Sequence, residues 1–259
     1  MNKINNQERN KLAKEKYVGM IFPTNRSGDL EVVDYISSVN MSVKFLKTGF
    51  VRKARLTDIL KGEVKDKTQA SVLGVGYCDI LGCIDYKVTK EYKHWVHMLQ
   101  RCFDKDQKTK YPSYIGCDVS EDWKSLSKFK EWCSKQTGFD NTDWCLDKDI
   151  LIKGNKTYSS QTCCFIPQEL NKLLLKKESY RGEFPVGVYF HKKANKYTSK
   201  VSKFNKNFHL GLFETPEEAF YAYKEAKEGH IKDVANVWKE QIDPRVYEAL
   251  MNYKVEITD

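Results

Sequence analysis

The sequence predicts an α+β protein of 259 residues in three folded modules. These are a small β-barrel, a helical stretch leading into a strand–loop–strand–helix unit, and a three-stranded antiparallel sheet with one packed helix. Three observations carry that expectation. Apolar residues alternate at period two within residues 17–66. From residue 89 they recur at helical spacing. After residue 184, three short strand patterns run into a capped helix. The chain is 41% apolar and 13% aromatic, enough to build cores and to exclude a disordered chain. No apolar run reaches the ~18 residues of a membrane-spanning helix. The first residues, MNKINNQERNKLAKEK, lack the apolar core of a secretory signal. The expected location is the cytoplasm, where thiols stay reduced.

Residues 1–16 read as a polar segment, and 17–66 as β. GDLEVVDYI and NMSVKFLKTGFV place Leu30, Val32, Met41, Val43 and Phe45 at alternating positions, and Thr48-Gly49 suits a hairpin turn. Five short strands at this spacing make a small SH3-like barrel, for which the residues name no ligand. Residues 67–88 read as a glycine-containing linker that docks on the next unit.

The eight cysteines, at 78, 83, 102, 117, 133, 145, 163 and 164, contain no C-x-x-C pair. Cys78-x4-Cys83 is looser than a zinc knuckle, so buried thiols are expected and structural zinc is not.

The unit over 89–180 opens with two amphipathic helices. In TKEYKHWVHMLQRCF, Tyr92, Trp95, Val96, Leu99 and Cys102 share one face. In SEDWKSLSKFKEWCSK, Ser120 suits the cap, and Trp123, Leu126 and Trp132 face inward. Then WCLDKDIL, the loop IKGNKTYSSQ, TCCFI and PQELNKLLLKK give strand, loop, strand and helix, with Pro167 at the first helical position. Gly154-Asn155 reads as a turn dipeptide. Cys163 and Cys164 are expected one in and one out along the second strand.

The module over 184–236 signals three strands: VGVYFH, KYTSKVSK and FHLGLF. Thr215-Pro216-Glu217-Glu218 is a capping box that starts the helix. Charge divides this module. Between Phe184 and Phe213 stand six lysines (192, 193, 196, 200, 203 and 206), two histidines and no acid. The helix from Thr215 to Ala235 carries five acids and three lysines. Along the central strand, Lys196, Thr198, Lys200 and Ser202 share one face, and Tyr197, Ser199, Val201 and Lys203 the other. A basic, hydroxyl-bearing sheet face suits nucleic-acid phosphate, so double-stranded DNA is the expected partner, with Lys192, Lys193, Lys196, Thr198, Lys200, Ser202, Lys203 and Lys206 as contacts. The net charge of +9 agrees in sign. A short helix over 243–253 closes the chain, capped by Asp243.

GVYFHKKANKYTSKVSKFNKNFHLGLFETPEEAFYAYKEA resembles the APETALA/ethylene-response-factor DNA-binding domain over about fifty residues. That family contacts DNA with its sheet, the side that is basic here. In bacteria and phages such domains are often fused to HNH homing-type endonucleases. W-x2-ML-x-RC, YPSYIGCDVSEDW and LDKDILIKGNKTYSSQTCCFIPQELN together resemble such a unit. The resemblance implies a phage-encoded, ββα-metal nuclease acting in an infected bacterial host. It would hydrolyse phosphodiester bonds of duplex DNA with Mg²⁺ or Mn²⁺, and two copies would be required for a double-strand cut.

By the same resemblance Asp147 and Asn171 hold the metal, and Thr162 stands at the loop position where the family has an asparagine. Lys148 stands where the family has its base histidine. An ordinary lysine, with a pKa near ~10.4, is a poor base. Lys148 is therefore expected to stabilise charge, with Asp149 handling the proton. The alternative is a non-catalytic DNA-binding protein, a regulator or anti-defence factor that keeps a degenerate HNH scaffold. A third reading gives the acidic helix and the barrel to protein contacts.

Overall fold

Residues 1–16 are polar, yet most of them fold into a helix. In the computed structural model, which describes residues 6–80, 89–174, 183–204 and 206–259, Asn6–Tyr17 form α1. It is anchored at its end. Tyr17 stacks on Tyr35 with ring centroids 6.1 Å apart, and Lys14 bonds Asp34 at 2.9 Å. Four strands follow: β1 (Ile21–Pro23), β2 (Asp29–Ser37), β3 (Asn40–Phe45) and β4 (Val51–Ala54), paired antiparallel in chain order. The alternating residues Leu30, Val32, Met41, Val43 and Phe45 are buried on one face as expected. Gly49, at φ 72°, makes the turn between β3 and β4.

The expected barrel is not formed. Among the described residues the sheet is open and has four strands, with β1 and β4 at its edges. β1 is only three residues long, too short to close a barrel. The short helix α2 (Leu56–Leu60) instead places Ile59 in the core.

The chain divides into two compact units, Met1–Asp104 with Glu121–Phe129 and Lys105–Ser120 with Lys130–Asp259. In the first unit, α3 (Lys90–Phe103) is capped by Thr89, whose side chain accepts from Tyr92 N, and it buries Trp95, Met98, Leu99 and Cys102. Residues 67–80 lie close against it. A Cβ on Gly76 would come within 2.4 Å of Leu99 Cδ1. Cys83 lies outside the described residues. Next along the chain come α4 (Lys105–Lys110) and β5 (Asp118–Val119), both of the second unit, and then α5 (Leu126–Cys133). The single helix expected from Ser120 is broken into a 3-10 turn over Glu121–Lys124 and α5. Asp79 explains the break. Its carboxylate accepts from Ser125 Oγ at 2.6 Å and from Ser127 N at 2.8 Å, pinning the chain just before α5. Trp123 is buried as expected, and its carbonyl accepts from Trp95 Nε1 at 2.7 Å.

The second unit holds β6 (Trp144–Asp147), β7 (Thr157–Tyr158), β8 (Cys164–Pro167) and α6 (Gln168–Leu174). β6 and β8 pair antiparallel from Trp144↔Pro167 to Asp147↔Cys164. β7 pairs in parallel with β5. Pro167 ends the strand rather than starting the helix. Cys163 and Cys164 are both buried, at 0% and 1% exposure, which corrects the one-in, one-out expectation. All four residues of β8 are covered, with Trp132 tilted against Phe165 and Phe139 edge-on to it.

The same unit continues with β9 (Val188–His191), β10 (Lys196–Lys203), β11 (Lys206–Phe213), α7 (Pro216–Trp238) and α8 (Pro244–Met251). The sheet order is β11–β10–β9. The capping box forms, with Glu218 N donating to Thr215 Oγ1 at 3.2 Å and Thr215 N to Glu218 Oε2 at 3.3 Å. α7 packs Ala219 and Phe220 against Val188, Tyr197 and Phe213. Gly187, at φ +79°, permits that approach. A Cβ there would lie 2.1 Å from Tyr223 Cδ2. Asp243 caps α8 by accepting from Arg245 N at 2.8 Å. Among the described residues no helix is long and apolar enough to cross a membrane.

Candidate functional site

The second unit carries both candidate regions, the β6–β8–α6 hairpin and the β9–β11 sheet. In the hairpin, β6 ends at Asp147. Its Oδ1 accepts from Asp149 N at 2.9 Å and from Ile150 N at 2.7 Å, so the side chain turns the chain out of the strand. Burial and the neighbouring Asp149 carboxylate push the Asp147 carboxyl up to about 6.

Lys148 points inward and is 7% exposed. Its Nζ donates to Asp149 Oδ2 at 2.9 Å and to the Asn155 carbonyl at 3.0 Å. Burial opposes its charge, but the hydrogen bond and charge of Asp149 outweigh it and hold the pKa above the ordinary lysine value. Such an ammonium cannot accept a proton, so Lys148 is a strut across the loop.

Asn155 completes that strut. Its Nδ2 donates to the carbonyls of Lys148 and Thr157, each at 2.7 Å, and its Oδ1 accepts from Thr157 N at 3.2 Å. Gly154, at φ +82°, turns the chain so that Asn155 reaches both sides of the loop. The turn dipeptide was legible in the sequence, but its bracing role was not. Thr162 acts nearby, donating to the Thr157 carbonyl at 2.7 Å.

Asn171 lies half-buried on α6, and among the described residues no hydrogen bond joins it to Asp147. Asp149 is exposed and engaged by Lys148. For Mg²⁺ or Mn²⁺ this donor set is a poor fit. One Asp147 oxygen is committed to two backbone N–H groups. The Lys148 ammonium beside this carboxylate would repel a divalent ion, although burial and Asp149 outweigh its effect on the Asp147 carboxyl itself.

The sheet is built from residues far apart in character. β10 pairs with both neighbours, placing Lys200 opposite His209, Thr198 opposite Leu212 and Tyr189, and Lys196 opposite His191. The register shifts between Ser199 and Lys200. Leu210 is the extra residue on β11, so His209 and Leu212 fall on the same open side as Lys200. The opposite side packs Tyr197 and Phe213 against α7.

On the open side Lys200 is exposed and lies over the Tyr189 ring at 5.9 Å from its centroid. Tyr189 itself is 55% exposed. Lys192 and Lys193 are exposed in the β9–β10 turn, and Lys206 is exposed where the β10–β11 turn enters β11. An eight-residue strand separates these ends by ~25 Å. Ser202 is exposed and Lys203 half-buried.

Two expected contacts change. Thr198 is 4% exposed, with its hydroxyl unpartnered between Tyr189 and Leu212, so it is not presented to a ligand in this arrangement. Lys196 is paired with Glu214, the first acid after the strand. The sequence signal for that pair was available. β11 ends opposite Tyr197, so the next residue lies beside Lys196. Lys153, which the sequence did not single out, donates to the Lys254 carbonyl at 2.9 Å and to Asp259 Oδ2 at 2.7 Å, tying the hairpin loop to the last residues. Comparison of the chain with protein-family models, with curated proteins and with solved structures returns no match.

Proposed function

We propose that this protein binds duplex DNA through the open side of β9–β11 and that its β6–β8–α6 hairpin serves as a scaffold. The observation that carries this reading is the one-sided distribution of charge. Lys192, Lys193 and Lys200 are exposed around the uncovered side of the sheet, Lys206 is exposed at the β10–β11 turn, and among the described residues Glu214 is the one carboxylate paired to a lysine of β10. The acids of α7 belong to the helix on the other side. Cationic groups at both ends of a strand and at its middle suit successive phosphates flanking a groove, while Tyr189, His209 and Ser202 offer contacts between them.

The locked state of Lys148 supports the scaffold half of the reading. The residue at the expected base position is held as a charged strut, which favours a scaffold over a hydrolytic role for the hairpin. A second reading, cleavage, has one observation in its favour. The Asp147 carboxyl, pushed up to about 6, titrates where general-base chemistry at neutral pH needs it.

Fluorescence anisotropy with a duplex of about two helical turns, repeated across a salt series, tests binding. Affinity that falls steeply with salt is expected, and a flat response overturns the reading. Incubation with supercoiled plasmid and Mg²⁺ or Mn²⁺ separates the two halves. Unchanged plasmid is the expected result. Nicking that disappears in Asp147→Asn transfers the conclusion to the second reading.

A further inference from the structure

We propose that the cavity between α6, the outer edge of β10 and α7 is a binding site for a phosphomonoester of nucleotide size, whose rim shares Tyr189, Lys200 and Ser202 with the open side of the sheet. The cavity has a volume of about 920 Å³, near the upper end of the ~300–1,000 Å³ usual for small-molecule sites. One wall is a face of α7. Tyr223, Lys227 and His230 stand at i, i+4 and i+7 and all line the cavity.

Lys227 points to an anion. Its ammonium donates to the Leu173 carbonyl at 2.9 Å, and no carboxylate pairs with it among the described residues. Burial holds it below the ordinary lysine value. A half-buried cation with only a neutral acceptor gains from a ligand that brings negative charge. His230, one turn along, is 4% exposed and its Nδ1 has no hydrogen-bond partner. Lys200 adds a second ammonium at the rim.

Of the two acids on the wall, Asp259 is paired with a cation and Glu169 has a neutral donor. Glu169 accepts from Trp238 Nε1 at 3.3 Å, and Asp259 accepts from Lys153 at 2.7 Å. The rest of the lining mixes apolar and aromatic side chains with Gln168, Lys172, Ser202 and Asn207. Phe204 packs edge-on against His230 with centroids 4.7 Å apart and also lines the cavity. A cationic end beside an aromatic wall matches a phosphate attached to a flat ring system.

Isothermal titration of the full-length chain with adenosine monophosphate, adenosine and inorganic phosphate, each alone, tests this. The monophosphate is expected to bind more tightly than either fragment. Lys227→Met is expected to weaken it about tenfold or more, and Lys200→Gln by a few-fold. Lys200 is exposed, so its variant remains informative if Lys227→Met fails to fold. The proposal is overturned by any of three results: no heat from the monophosphate at millimolar concentration, phosphate alone binding as tightly, or unchanged affinity in the folded variants.

Discussion

The ion pair between Lys196 and Glu214 turns the proposed DNA contact into a quantitative test. Each lysine that neutralises a phosphate adds about 0.9 to the slope of log affinity against log salt. Lys192, Lys193 and Lys200 are exposed, and no carboxylate pairs with any of them among the described residues. Changing all three to Gln therefore lowers the slope by about 2.7. The ratio of affinities at 50 and 200 mM salt then shrinks about 40-fold, or about 3.5-fold per charge. Lys196 is different, because Glu214 already neutralises it. Lys196→Gln alone changes the slope by less than half of 0.9, roughly. Glu214→Gln releases the lysine and steepens the slope by about 0.9, and in that background Lys196→Gln removes the same amount. Both side chains of the pair are well exposed, 42% and 71%, so stability hardly moves and serves as the control. The measurement is anisotropy of one labelled duplex across salt for the wild type, these four variants and Lys200→Gln alone. The reasoning fails if Lys196→Gln alone matches Lys200→Gln, or if Glu214→Gln leaves the slope where it was.

Four further outcomes are expected. Gly187→Ala combines a left-handed backbone with a Cβ 2.1 Å from the Tyr223 ring, and costs about 2–4 kcal/mol in thermal unfolding. Gly154→Ala shares the positive φ but meets nothing within 4 Å, and costs about 1 kcal/mol. Asn155→Ala removes three hydrogen bonds across the hairpin loop. It raises loop opening by roughly 30-fold, about 2 kcal/mol, read as faster tryptic cleavage at Lys153 or Lys156. Asp147 titrates near 6 when folded, above its ordinary value. The folded chain therefore holds this proton more tightly, and stability from this group is full below about pH 4 and is lost as pH rises through 6. Asp147→Asn removes that dependence, and the difference between the two proteins across pH 4–7 should amount to about 2 kcal/mol.

The parts of the fold that were legible in the sequence are those whose signal is local. The capping box at Thr215, the alternation through Leu30 and Val32, and the helical stripe of Trp95, Leu99 and Cys102 need only neighbouring residues to be read. The illegible parts depend on closures over distance. α1 is polar along its length and gains its anchor from Tyr35 and Asp34, twenty residues away. The barrel failed as an expectation because alternation counts strands but does not say whether the first and last meet. At the candidate site, Asp147 and the turn at Asn155 were visible as residue types. That Lys148 bonds the Asn155 carbonyl, and Asn155 the Lys148 carbonyl, requires the loop to be closed first. Strict alternation along β10 also put Thr198 on display, whereas large cross-strand neighbours cover it.

The extra residue at Leu210 has a consequence for how this surface can change. On either side of it, β11 presents opposite parities to β10, so His209 and Leu212 share a side although they are three positions apart. Deleting Leu210 would restore strict alternation and leave every pairing in place, with His209 still opposite Lys200 and Phe208 opposite Val201. Deleting Phe208 instead would bring Asn207 opposite Val201 and Lys206 opposite Ser202, carrying both to the other side of the sheet. The bulge is thus a slack residue: a loss there is absorbed, whereas a loss nearer the turn moves side chains across the sheet.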